Sequence, residues 1–284
     1  MQLTNRLNLP LPIVRAVEHD TYSRDGHISV TGLIQPPRIR QLTTRHRDLI
    51  AIDVADRIWP LLGSAVHYVI EQAQVGDALQ EERLSIDVNG WKVTGKPDLY
   101  YNKTVFDYKI TSVWSCLDGV KPEWERQLNC YGFLLRGYKF SVEALAIIAI
   151  FRDWSKFGGQ RSSNYPETQS IVIPVRLWNP VDAGMYLGER VAMHQQAEGL
   201  PDDDLPICTA EERWQRETTY AVKKRGNKRA QRVLPSMEEA EAWARDNMKD
   251  KPFEIEKRPG ESVRCRHYCD VSEICGLFQE EGGE

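Results

Sequence analysis

The sequence predicts an α/β fold in which a mixed central sheet is flanked by helices and followed by a C-terminal appendage. Three observations carry that prediction. Residues 82–110 hold four short alternating runs separated by tight-turn residues. Residues 143–151 are an unbroken apolar run, typical of a strand buried on both faces. Stretches with helical spacing stand on both sides of these, at 61–73, 122–138 and 180–198.

Taken in order, residues 1–44 are punctuated by Pro10, Pro12, Pro36 and Pro37 and read as a lead-in of loops or short strands. Residues 45–59 place Leu49, Ile50, Val54 and Ile58 on one helical face, until Pro60 breaks or kinks the run. In the helix over 61–73, Gly63, His67 and Glu71 recur every four residues and share a face. Runs 82–88 and 91–95 form a hairpin about Asn89-Gly90, and 98–101 and 104–110 form another about Asn102-Lys103. A strand at 170–175 and the helix at 180–198 complete a core spanning 45–200. Beyond Gly199 the composition changes, and 201–284 reads as a separate C-terminal region. An acidic loop at 201–206 precedes a basic hairpin over 220–234 that turns at Gly226-Asn227. Ser236 and Glu239 have capping-box spacing before a helix to about Met248, and 253–257 is a short strand. There is no internal repeat.

At 284 residues, 41% hydrophobic and 27% charged, the chain has the composition of a globular protein able to bury a sizeable core. No apolar run approaches the ~20 residues of a membrane helix, and the first residues lack a signal-peptide pattern. The expectation is an intracellular, cytoplasmic protein without a membrane, working in an infected host cell if it is viral. A formal net charge of −4 excludes a uniformly basic surface, yet a local basic groove is enough to bind phosphates. Of six cysteines, three crowd the last twenty residues, which favours a metal or cluster site over a disulfide scaffold.

The chemistry is concentrated in Pro97-Asp98 and Asp107-Tyr108-Lys109. A tight turn between their strands brings Asp98 and Asp107 within reach of each other, and adjacent carboxylates repel unless a cation holds them. Hard oxygen ligands suit Mg²⁺ or Mn²⁺. Lys109 lies two residues after Asp107, so it points to the same side of the strand. An ammonium there orients the attacking water and offsets charge developing on a phosphate. Each residue alone has an ordinary structural role open to it. Together they are minimal equipment for hydrolysing a phosphodiester.

This arrangement resembles the PD-(D/E)xK nuclease superfamily. The helix Leu62-Gly63-Ser64-Ala65-Val66-His67 resembles the upstream helix of its RecB-like branch, and Gln127-Leu128-Asn129-Cys130-Tyr131 matches that branch's QxxxY element. The resemblance spans roughly residues 45–150. It implies a restriction-endonuclease-like core and Mg²⁺- or Mn²⁺-dependent cleavage of DNA, most naturally by an exonuclease in phage-like recombination, repair or replication. An endonuclease, a CRISPR-adaptation trimming nuclease or a non-cleaving DNA-binding relative are the alternatives. It also implies that His67, Asp98, Asp107 and the Tyr108 carbonyl hold the metal, with Lys109, Gln127 and Tyr131 as catalytic partners. Glu71 stays undecided between supporting His67 and facing solvent. Association with a recombination or replication protein, or into a ring of copies, is open.

Cys265, Cys269 and Cys275 are spaced C-x3-C-x5-C, and Cys208 is the natural fourth thiolate. Four thiolates suit zinc or a [4Fe–4S] cluster, and spacing does not separate the two. Several RecB-like nucleases carry such an iron–sulfur cluster, so the resemblance implies one here. Their usual pattern is C-x2-C-x5-C with a cysteine upstream of the histidine. This chain has neither feature, and 205–214 is closer to bacteriophage-type members. His267 and Cys130 compete with Cys208 as the fourth ligand. Between Cys208 and Cys265, the cations Lys223, Lys224, Arg225, Lys228 and Arg229 either grip a phosphate backbone or line a solvated hairpin. Trp114, Trp124, Trp154 and Phe157 either stack on unpaired bases or pack in the core.

Overall fold

A computed structural model describes residues 1–19, 27–73, 75–117, 119–158, 164–249 and 251–280; residues 20–26 of the lead-in thus lie outside the described residues. The chain divides into two compact units, Met1–Pro201 and Asp202–Glu284.

The first unit opens with β1 (Gln2–Thr4), α1 (Leu11–His19), β2 (Ile28–Ser29), α2 (Val30–Leu33) and α3 (Pro37–Arg45). The lead-in expected as loops and strands therefore contains helices. Pro12 and Pro37 fall in first turns, where the missing N–H has no helical partner to lose, so they start helices rather than break them. The helix expected over 45–59 is absent. Its apolar residues serve β3 (Ala51–Asp53), which pairs in parallel with β1. Ile50, Ile52 and Val54 are buried in strand-like alternation, while Leu49 is exposed. Asp53 then accepts the Ala55 N–H at 3.0 Å and caps a 3₁₀ turn over Val54–Arg57. In α4 (Ile58–Glu71), Pro60 lies in the first turn and breaks nothing.

Next come β4 (Leu79–Gln80), β5 (Leu84–Val88), β6 (Trp91–Gly95), β7 (Leu99–Tyr101), β8 (Thr104–Thr111), α5 (Pro122–Gly137), β9 (Ala144–Phe151), β10 (Ser170–Val175) and α6 (Pro180–Glu198). Both predicted hairpin turns have positive φ at their two central residues, Asn89-Gly90 and Asn102-Lys103. The central sheet is mixed, in the order β10-β9-β8-β7-β4, with β8 and β9 parallel and the remaining neighbours antiparallel. The β5–β6 hairpin joins β2 in a separate three-stranded sheet. The chain crosses between the sheets after Gly95, where Pro97 has no N–H to continue a ladder.

Helix α5 packs against β5, β6, β8 and β9, and α4 packs against β8. Strand alternation therefore aims Asp107 and Lys109 toward α5 and Tyr108 toward α4. The core gathers Val105, Leu128, Leu134, Leu135 and Ile147, all fully buried. Packing is tightest at Gly95. A Cβ there would lie 2.6 Å from Leu134 and 3.0 Å from Tyr131, so only glycine lets β6 approach α5 this closely.

The second unit holds β11 (Gln215–Arg216), β12 (Thr219–Lys224), β13 (Ala230–Leu234), α7 (Met237–Asn247), β14 (Phe253–Arg258), β15 (Glu261–Ser262), α8 (Val263–His267) and α9 (Gly276–Glu280). Its sheet runs β13-β12-β14, and α7 covers it through Val222, Ala240, Ala244 and Met248. Ser236 caps α7 by accepting the Glu239 N–H at 3.1 Å.

Ile147 is fully buried on central β9, whereas Val172 on edge strand β10 is 63% exposed. Ile147→Ala is expected to lower unfolding free energy by about 2–5 kcal/mol in urea titration. Val172→Ala should stay within about 0.5 kcal/mol of the parent.

Candidate metal centre

The centre forms where the central sheet splits. β7 pairs with β8 from Leu99 opposite Phe106 to Tyr101 opposite Thr104. One residue before Leu99 the chain is still arriving from β6, so β8 beyond Phe106 has no backbone neighbour on that side. Asp98 takes that place, its Oδ2 accepting the Tyr108 N–H at 2.7 Å. The N–H and C=O of one strand residue point the same way, so the Tyr108 carbonyl faces the same opening. It lies 3.2 Å from Nε2 of His67, which α4 holds over the gap.

The other nitrogen of His67 meets two carboxylates. Nδ1 is 3.3 Å from Glu81 Oε1 and 3.4 Å from Asp98 Oδ1. Glu81 follows β4, whose Gln80 stands opposite Leu99, and its backbone N–H donates to the Asp98 carbonyl at 3.2 Å. Lys96 steadies it, with Nζ 2.7 Å from Glu81 Oε2. One donor atom each from His67, Glu81 and Asp98 lie within 4.8 Å of one another, and among the described residues no other His, Cys, Asp or Glu donors gather so closely.

Asp107 stands beside this group rather than in it. It is 1% exposed and turns Oδ2 toward Lys109 Nζ at 2.7 Å. The Lys109 ammonium is thus the charge set against this buried carboxylate. Lys109 donates to Gln127 Oε1 at 3.0 Å, and Gln127 Nε2 donates to the Tyr131 hydroxyl at 3.0 Å. Gln127 and Tyr131 are one turn apart on α5, so a rigid element holds the lysine.

Electrostatics fits a cation. Hydrogen bonding to Asp98 and then to Glu81 raises His67 to about 10 against the opposing effect of burial. Burial pushes Asp107 up to about 6, with the Asp98 charge adding to it and Lys109 opposing. Burial would raise Glu81 as well, but His67 and Lys96 outweigh it and hold the carboxyl below its usual range. The imidazolium thus supplies positive charge that several carboxylates demand. An imidazole, hard carboxylate oxygens and a strand carbonyl, with the buried Asp107 carboxylate beside them, form a donor set suited to Mg²⁺ or Mn²⁺.

The sequence reading missed Glu81. It precedes the predicted strand, and only the two-residue pairing of β4 with β7 brings it beside Asp98. Glu71 stays outside the group.

In the second unit, β11 and β15 pair and carry the segment after Cys208 alongside the one before Cys265. Arg264 N–H donates to the Arg213 carbonyl at 3.0 Å, and its guanidinium reaches the Glu212 carbonyl at 3.2 Å. Gly260 permits the contact, since a Cβ there would meet the Arg216 carbonyl at 2.3 Å. Cys208 is pushed up to about 12, first by burial, then by Glu212 and the other three thiols. Cys269 is pushed up to about 11, again by burial first, with Cys265 and Cys275 contributing. Among the described residues the cysteines do not gather to the spacing of the His67 group. Cys130 is fully buried among the apolar side chains of the first unit, and His267 is exposed with its ring against Tyr268.

The basic hairpin is only partly available to phosphate. Lys223 is committed to Glu254 and Glu256, at 3.4 and 3.5 Å. Arg225, Lys228 and Arg229 are exposed at the turn and Lys224 is half-buried. Of the aromatics, Trp124 is buried and the indole of Trp154 donates to the Pro166 carbonyl, while Trp114 and Phe157 are exposed.

No family model matches this chain, and no curated protein matches it either. Among solved structures it is similar to that of SSO0001, with 19% identity over 64% of this chain and 84% of the other and a TM-score of 0.43. It is also similar to an alkaline exonuclease (LHK-Exo) from Laribacter hongkongensis, with 11% identity over 48% of this chain and 66% of the other and a TM-score of 0.32. Likenesses this distant do not bear on function, which is argued from the residues themselves.

Because His67 holds its proton up to about pH 10, a metal must displace that proton to reach the ring. Mn²⁺ affinity is therefore expected to rise about tenfold per pH unit from pH 6.5 to 8, with about one proton released per ion. Calorimetry in buffers of different ionisation enthalpy measures both. His67→Asn should bind more weakly, with a much flatter pH dependence.

Proposed function

We propose that this protein is a Mg²⁺- or Mn²⁺-dependent DNA nuclease, an exonuclease serving recombination, repair or replication of the phage type. The observation that carries the proposal is the gathering of His67, Glu81 and Asp98 over the Tyr108 carbonyl, beside the buried Asp107–Lys109 pair. A structural ion pair needs no second carboxylate at the histidine. A divalent site with a lysine at its edge suits phosphodiester hydrolysis.

Within this reading, His67, Glu81, Asp98, Asp107 and the Tyr108 carbonyl would hold the cation, which would supply polarisation of the phosphoryl group and a water of lowered pKa. Lys109 orients that water and offsets the charge that develops on the phosphate oxygens. Gln127 fixes the ammonium by accepting its hydrogen bond, and Tyr131 fixes Gln127. Asp107 holds the Lys109 ammonium from the other side, at 2.7 Å. Water oxygen bonds to phosphorus, the ester oxygen leaves with a proton, and DNA is released with a new end.

In the second unit we propose that Cys208, Cys265, Cys269 and Cys275 carry a [4Fe–4S] cluster. The pairing of β11 with β15, which brings the segments after Cys208 and before Cys265 alongside each other, supports this, and a structural Zn²⁺ is the alternative. Lys224, Arg225, Lys228 and Arg229 are the backbone-binding cations, without Lys223.

Asp107→Ala and Lys109→Ala should each lower cleavage of end-labelled linear DNA with Mn²⁺ by about 10²-fold or more, with far-ultraviolet circular dichroism unchanged. Full activity in either variant, freed of contaminating nuclease, would overturn the assignment. Protein purified without oxygen should be brown, with broad visible absorbance and about four irons per chain. Colourless protein with one zinc would show that the thiols hold zinc instead.

A further inference from the structure

Two tryptophans on the elements that carry the candidate metal centre, α4 and the turn after β8, are more exposed than tryptophan usually is. Trp59, in the first turn of α4, is 55% exposed, and Trp114, in the 3₁₀ turn that follows β8, is 60% exposed. Neither ring hangs loose. The Arg152 guanidinium lies over the Trp59 ring at 4.6 Å, and Tyr165 meets Trp114 edge-on at 6.2 Å.

Both rings are fixed to the corner where β8 and β9 end. The Arg152 N–H donates to the Thr111 carbonyl at 3.0 Å. Asp153 then accepts the Ser112 hydroxyl at 2.7 Å and the Val113 N–H at 2.8 Å, which locks the turn that carries Trp114. The arginine that backs one tryptophan is thus the chain neighbour of the aspartate that positions the other.

Between Trp59 and His67 the helix borders open space. Helix α4 has no buried residue despite its Ile, Leu and Val content, and a Cβ added at Gly63 would meet nothing within 4 Å. The eight residues from Trp59 to His67 span about 12 Å of helix. That is a reach of a few nucleotides of an unstacked strand. An exposed indole stacks on any base, because every base presents a π-face, and a cation beside it suits the phosphate. A base inside a duplex keeps its faces in the stack and cannot use such a ring.

We propose that Trp59, Arg152 and Trp114 form a stacking clamp for unpaired nucleotides of the strand being cut, a few nucleotides from the scissile phosphate. This rests on the nuclease reading and adds to it the form of the substrate, a single strand or an unpaired end. The occupant is nucleic acid rather than a protein partner because the patch carries a cation and leads directly to the phosphate-cleaving centre.

The test is binding of a fluorescein-labelled single-stranded 12-mer and its duplex by anisotropy, in the Asp107→Ala background so that neither is cut. Trp59→Ala and Trp114→Ala should each weaken single-strand binding about tenfold and leave duplex binding within about twofold. Trp59→Phe should recover most of the loss. A single abasic position walked along the strand should, at one or two places, weaken the parent but not the Trp59→Ala variant. Unchanged single-strand affinity in both alanine variants, equal losses on single strand and duplex, or a change in oligomeric state without a change in DNA binding would each overturn the clamp. A protein that cleaves nothing but binds single strands through Trp59 would retain the clamp and sink the nuclease reading. Normal cleavage with binding indifferent to both tryptophans would do the reverse.

Discussion

The metal centre depends on one hydrogen bond, from the Tyr108 N–H to Asp98 Oδ2 at 2.7 Å. A buried backbone donor without a partner costs free energy, so a sheet that splits must supply one from elsewhere. Asp98 does so with its side chain, and two things follow. The carboxylate is anchored at the edge of β8 with its second oxygen facing His67, and the Tyr108 carbonyl is left facing the same imidazole. The split itself follows from Gly95 and Pro97, which let β6 lie close against α5 and then end it. The residues that terminate one sheet thereby create the opening in the next.

That opening concentrates negative charge in a place with little water. Asp107 is 1% exposed and Asp98 is 8% exposed, and neither burial would be tolerated without compensating cations. The protein supplies three of these, His67, Lys96 and Lys109, each against a different carboxylate. His67 differs from the other two because its charge is a proton that a metal can replace. Lys109 is held by α5 on the side from which Asp107 projects.

Much of the site was legible in the sequence because its parts are local. Asp98 and Asp107 flank a hairpin whose Asn102-Lys103 turn declares itself, Lys109 follows by strand alternation, and Gln127 and Tyr131 are one helical turn apart. The mixed sheet and the buried strand β9 were likewise readable, the latter from its apolar run, whereas its parallel pairing with β8 was not. What was hidden came from pairings at long range. Glu81 reaches the site through a two-residue strand without a recognisable pattern, and the β5–β6 hairpin gives no local sign that it leaves the main sheet. The first 60 residues misled because proline was read as a breaker where it stands in first turns, and because 49–58 can satisfy helical spacing while folding as a strand and a 3₁₀ turn. Lys223 was counted with the basic hairpin before its partners on β14 could be known.

The most direct test of the account is to locate the ion itself. Crystals grown with Mn²⁺ and measured at the manganese absorption edge should show an anomalous peak bonded to His67, Asp98 and the Tyr108 carbonyl at about 2.0–2.3 Å, with Glu81 or Asp107 completing the shell. A peak elsewhere on the chain, or no peak at saturating Mn²⁺ with His67 still bridging Glu81 and Asp98, would contradict it.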